Sequence, residues 1–115
     1  MPPKTNPLKL NDLQLRTLTL LQALAKLPDH AEAQPAAGSV RVFNLPHPHG
    51  NHFHLGDAVV AARDASGLAV EGAWLALERK GLVTNTLFPD SIEITAAGLA
   101  YDTGPAKLIL HHSDH

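Results

Sequence analysis

His47, His49, His52 and His54 fall within eight consecutive residues. Imidazole is the commonest nitrogen ligand for zinc, nickel and other borderline metals. On an extended strand His52 and His54 share one face, and His47 or His49 can approach from the opposite arm of a turn. Three imidazoles and a water satisfy zinc, with nickel as the alternative ion. The spacing therefore offers His47, His49, His52 and His54 as metal ligands and a metal-responsive sensor as one function. A polar surface loop is the plainer alternative. His111, His112 and His115 make a second, terminal group with no spacing that assigns it a task.

Other reactive chemistry is sparse. The chain has no cysteine, which removes disulfides, thiolate ligands and a thiol nucleophile. Ser39, Ser66, Ser91 and Ser113 sit in turn-like segments without an evident base and carboxylate. Asp57 follows His54 closely enough to pair with it, but a helix cap is the simpler role for a carboxylate before an apolar run. An enzyme is not expected.

The elements that position these residues begin at Leu10. Residues 1–9 read as a flexible arm with two lysines, Lys4 and Lys9. Asn11 can cap a helix, with Gln14 completing a capping box and Leu10 and Leu15 at the staple positions. Leu13, Leu20, Leu21, Leu24 and Leu27 form its apolar face, widened by Leu18, and Pro28 ends it. Leu15 lies nearly opposite that face, which makes it either lightly buried by the staple or a subunit contact. Asp29–Ser39 reads as a loop. Val40–Leu45 and His52–Leu55 read as the arms of a hairpin across Pro46–Asn51.

The segment 56–98 carries the densest pattern. A short helix is expected after Asp57, through Ala58-Val59-Val60-Ala61-Ala62, and Ser66-Gly67 breaks it. Val70, Ala73, Trp74, Leu77 and Gly81 recur at helical spacing, with Arg79 and Lys80 in the last turn and Gly81 as the stop. Ile92 and Ile94 then face one side of a strand and Glu93 the other. Thr95 is a cap for a short third helix, and Lys107–Leu110 could be a terminal strand. The expected core comprises the leucines of the first helix with Val59, Val60, Leu68, Val70, Trp74, Leu77, Val83, Ile92 and Ile94.

Ser66-Gly67-Leu68, Leu77-Glu78-Arg79-Lys80-Gly81-Leu82-Val83 and Ile94-Thr95-Ala96-Ala97-Gly98 resemble the winged helix-turn-helix domain of multiple-antibiotic-resistance-type transcriptional regulators. The resemblance covers roughly residues 56–98. It implies an α+β fold: a winged helix-turn-helix with a three-helix core and a small antiparallel sheet or wing, over residues 10–105, followed by a tail at 106–115. It also implies a small DNA-binding regulator, a homodimer on double-stranded DNA. Arg63, Arg79 and Lys80, with Lys4 and Lys9 from the arm, would supply the contacts.

Charge points elsewhere. The 115 residues carry a formal charge of −2, whereas phosphate neutralisation dominates nucleic-acid affinity. Residues 57–81 set Arg63, Arg79 and Lys80 against Asp57, Asp64, Glu71 and Glu78, and residues 81–105 hold no basic side chain at all. The outer helix positions are acidic or apolar, which suits a protein contact through Leu15, Leu75, Ala76 and Phe88. No segment has the length and apolarity of a membrane span, and no signal-peptide core is evident, so a cytoplasmic protein is expected. DNA binding, a protein-interaction module on the same scaffold, and metal sensing are thus the three functions the sequence raises.

Overall fold

The computed structural model describes residues 6–46 and 50–112. Helix α1, Asp12–Leu24, starts where the capping residues place it. Asn11 Oδ1 accepts the Gln14 amide at 2.8 Å and Gln14 Oε1 accepts the Asn11 amide at 3.0 Å, so two amides of the first turn are satisfied reciprocally. Leu18, Leu20, Leu21 and Leu24 of α1 are fully buried.

The chain then forms β1 (Ala31–Gln34) and β2 (Ser39–Phe43), an antiparallel pair joined through a turn in which Gly38 takes a φ of +67°. The stretch expected as a loop is therefore an edge strand. Its alanines have weak strand preference, and cross-strand pairing with Val40 and Val42 supplies what propensity does not. Next come β3 (His52–Leu55) and β4 (Ala58–Ala61), again antiparallel, with Leu55 opposite Ala58 across a two-residue turn. Gly56 holds that turn at φ +56°, the positive first position that tight hairpins demand.

Two expectations are corrected here. His52–Leu55 pairs with β4 and not with the Val40–Leu45 arm, and Ala58–Ala61 is a strand and not a helix. Asp57 belongs to the turn. Val59 and Val60 are β-branched, and alternate residues of β4 are buried, so the run satisfies a strand period better than a helical one. Helical character begins only with a 3-10 segment, Ala62–Ala69. There Gly67 lies so close to α1 that a Cβ would overlap Thr17 Oγ1.

Helix α2 spans Glu71–Arg79. It ends in a Schellman motif: the Leu82 amide reaches the Leu77 carbonyl at 3.1 Å, and the Gly81 amide the Glu78 carbonyl at 3.0 Å. Gly81, at φ +76°, allows the reversal. Strands β5 (Val83–Leu87) and β6 (Ser91–Ile94) form a hairpin with an irregular register between Thr84 and Leu87. Thr95 caps α3 (Ala96–Ala100), its hydroxyl accepting the Gly98 amide at 3.0 Å. A second 3-10 segment, Gly104–Ile109, leads into β7 (His111–His112), which pairs with β4. Lys107–Leu110 is accordingly not a strand.

The strands form two antiparallel sheets, one ordered β1-β2-β6-β5 and the other β3-β4-β7. The α1 leucines, Val42, Val60, Trp74, Leu77, Leu82, Val83, Ile92 and Ile94 fill the space between helices and sheets. Val70 does not join them. It precedes α2 as the residue before its first turn and is 41% exposed. Over the described residues the result is an α+β fold with three α-helices and two sheets, more elaborate than the expected three-helix core with one small wing. Among the described residues no helix is long and apolar enough to cross a membrane.

Candidate interaction face

Helix α2 packs against α1, the first 3-10 segment and β5. Three neighbours cover a wide arc, so Ala73, Trp74, Ala76 and Leu77 are all buried. Trp74 is fully enclosed, and its indole meets the Phe88 ring edge-to-face with centroids 4.9 Å apart. Glu71, Gly72, Leu75, Glu78 and Arg79 remain outside. Leu75 is 38% exposed, and Leu87, at the end of β5, is 58% exposed.

Between α2 and the outer surface of the larger sheet lies an open groove of about 540 Å³. Glu78 and Leu87 border it together with Arg41, Thr84 and Glu93. Glu93 faces outward because Ile92 and Ile94 face the core. Its carboxylate accepts hydrogen bonds from the Ser39 hydroxyl and, at 2.9 Å, from the Asn85 amide. The Ser39 bond, then the Asn85 bond, hold the carboxyl below its ordinary range; partial desolvation opposes them and Arg41 adds a smaller lowering. Register places Glu93 directly between Arg41 and Thr84. An ionised carboxylate thus sits in the groove floor with Arg41 as its cross-strand neighbour.

The residues singled out from sequence are distributed as follows. Arg63, Arg79 and Lys80 are exposed, Arg63 on the 3-10 segment and the other two at the end of α2. Lys9 is exposed in a segment that turns back at a φ of +57°. Lys4 lies outside the described residues. Leu15 is half-buried against the core, beside Arg16 in a shallow depression that Pro105 and Ile109 complete. Leu75 is on the surface as expected. Ala76 is not: one further residue around the helix turns it into the arc covered by the core, which removes it from any contact surface. Phe88 is half-buried on Trp74 and serves the core edge. Ser39, expected in a turn without a carboxylate, instead opens β2 and bonds Glu93, while the sequence offers Asn85 and Glu93 no site role. The alternation Ile92-Glu93-Ile94 marks Glu93 as outward-facing, but no local signal pairs it with Ser39.

His52 and His54 share an exposed strand face with ring centroids 5.5 Å apart. Their β4 partners are Ala61 and Val59, which cannot ligate. Among the described residues no group of three or more histidine, aspartate or glutamate side chains converges to hold a metal ion. This overturns the expectation of a zinc or nickel site. His47 and His49, the other two expected ligands, lie outside the described residues.

No protein-family model, curated protein or solved structure matches this chain.

Proposed function

We propose that the chain is a protein-contact module on a winged-helix scaffold, engaging its partner through the outer face of α2 and the adjoining β5–β6 hairpin. Element order supports the scaffold. The leading helix α1, a short helical segment, α2 and a two-stranded wing follow in sequence, with β2 beside β6. The additions are the edge strand β1 and the hairpin β3–β4. The helix that a winged-helix DNA reader lays in the major groove corresponds to α2.

The observation that carries the reading is the chemistry of that helix. Its outward side chains are Glu71, Leu75, Glu78 and Arg79, and the wing beside it presents Leu87 and Asp90 without a cation. Three acidic groups and two exposed leucines oppose contact with a phosphate backbone and suit a desolvated protein surface. Arg63, Arg79 and Lys80 favour DNA as the second reading.

A photo-crosslinking amino acid at position 75 or 87, introduced in the source cells, separates the two. Protein adducts from both positions, and none from exposed Ala33 on β1, are expected. Nucleic-acid adducts at position 75, together with salt-sensitive binding of a mixed-sequence duplex below ~10 μM, would replace this reading with the DNA one.

A further inference from the structure

We propose that the partner on this face is a second copy of this chain, joined through an antiparallel α2–α2 contact centred on Leu75. The inference rests on the protein-contact reading above and commits it to one occupant.

The pattern of α2 is self-complementary. Glu71 precedes Leu75 by four residues and Arg79 follows it by four, so the two charges stand about 6 Å above and below the leucine on the same face. A two-fold axis beside Leu75 sets leucine against leucine. It also brings Glu71 of each copy level with Arg79 of the other, giving two equivalent ion pairs from one surface, as an isologous interface requires.

Gly72 is the independent observation. Its backbone is helical, with no positive φ, and nothing lies within 4 Å of where a Cβ would be. Glycine gives up helix propensity that alanine would supply, and no described residue lies close enough to account for it. In the antiparallel arrangement Gly72 lies beside the stem of Arg79 from the other copy, and the missing side chain is the space that stem occupies. Ala76 is buried and Leu75 stands above it, so the apolar centre of the contact is narrow, extended on the wing side by Leu87. Glu78 is the charge a second copy does not offset. It lines the groove that Arg41 also lines.

A nine-residue helix is about 13.5 Å long, which places such a contact at the small end of specific interfaces. The dimer should form at roughly 10–100 μM.

Sedimentation equilibrium of the full chain from 1 to 500 μM tests this, with circular dichroism confirming the fold of each variant. Glu71→Arg alone and Arg79→Glu alone should each weaken self-association at least ~10-fold, because every ion pair becomes a like-charge pair. An equimolar mixture of the two should assemble to within ~3-fold of the wild type, since two cations on one helix then face two acids on the other. Leu75→Glu should abolish assembly. Rescue by mixing also shows that both variants are folded. A wild-type chain monomeric throughout overturns the inference, and crosslinks from position 75 to a different protein would then leave the protein-contact reading standing. A wild-type dimer that Leu75→Glu breaks but mixing does not restore overturns the antiparallel register alone.

Discussion

The Tyr101 hydroxyl donates to Asn6 Oδ1 at 2.7 Å and accepts the Leu8 amide at 3.0 Å, tying the segment before α1 to the residue that ends α3. Asn6 is itself held at φ +59°, its side chain bonded to both backbone groups of Leu10 at 2.7 and 2.8 Å. Gln22 reaches the same place from α1, donating to the Tyr101 carbonyl at 2.8 Å. Tyr101→Phe keeps the ring and removes the hydroxyl, leaving a part-buried Leu8 amide without its acceptor. A loss of about 1–2 kcal/mol in urea unfolding is expected. An unchanged midpoint would mean that the leading segment is not fastened there.

Gly98 and Gly72 both lie in helices but in opposite circumstances. A Cβ on Gly98 would overlap the Leu82 carbonyl oxygen, which is backbone and cannot swing aside, whereas one on Gly72 meets open space. Gly98→Ala should cost about 2–3 kcal/mol through displacement of α3. Gly72→Ala should gain about 0.5–1 kcal/mol through helix propensity and a less free unfolded chain. Thermal melts of the two variants in dilute solution should move in opposite directions. Parallel shifts would contradict the packing of α3 on Leu82.

The parts of the fold that were legible in the sequence are those whose cause lies within four or five residues. Asn11 with Gln14, Gly81 after Arg79 and Thr95 before Ala96 are each a local hydrogen-bond solution, and each stands where its spacing places it. Strand pairing has no such local cause. Val59 and Val60 fit a helix until Gly56-Asp57 is recognised as a hairpin turn, and Ala31–Gln34 becomes a strand only through β2. The contact face was half legible for a similar reason. Leu75 and Ala76 differ by one step around α2, and only the number of elements packed on that helix decides which of them is covered. The Ser39–Glu93 bond spans 54 positions and was beyond any local pattern.

Acid should act on Glu93. Its carboxyl is lowered in the folded chain, so the folded state binds that proton more weakly than the unfolded one. The resulting stabilisation is present above the ordinary carboxylate range and is lost as pH falls through the lowered folded value. Asp102, lowered by the Gly104 amide and then by Lys107, titrates on the same limb. Comparison with Glu93→Gln isolates Glu93, because Asp102 stays intact in both chains. The wild type should be the more stable of the two at pH 6, and the gap should narrow between about pH 5 and pH 3. A gap independent of pH would show that Ser39 and Asn85 bond equally well to the protonated carboxyl.

Placing the same charge at two adjacent positions of α2 tests which way the helix faces. Leu75→Glu puts a carboxylate where 38% of the leucine already meets solvent, and an exposed glutamate is a good helix former. In dilute solution, where chains are separate, it should change stability by no more than ~0.5–1 kcal/mol. Ala76→Glu puts the same group into the arc that α1, the 3-10 segment and β5 cover. There it must displace neighbours and either lose hydration or take up a proton, a cost of about 3 kcal/mol or more. The chain should then be largely unfolded or molten by near-ultraviolet dichroism, for which Trp74 is the reporter. If the two substitutions were equally tolerated, α2 would be turned by about 100° from the register described, and Leu75 could not be the centre of a contact surface.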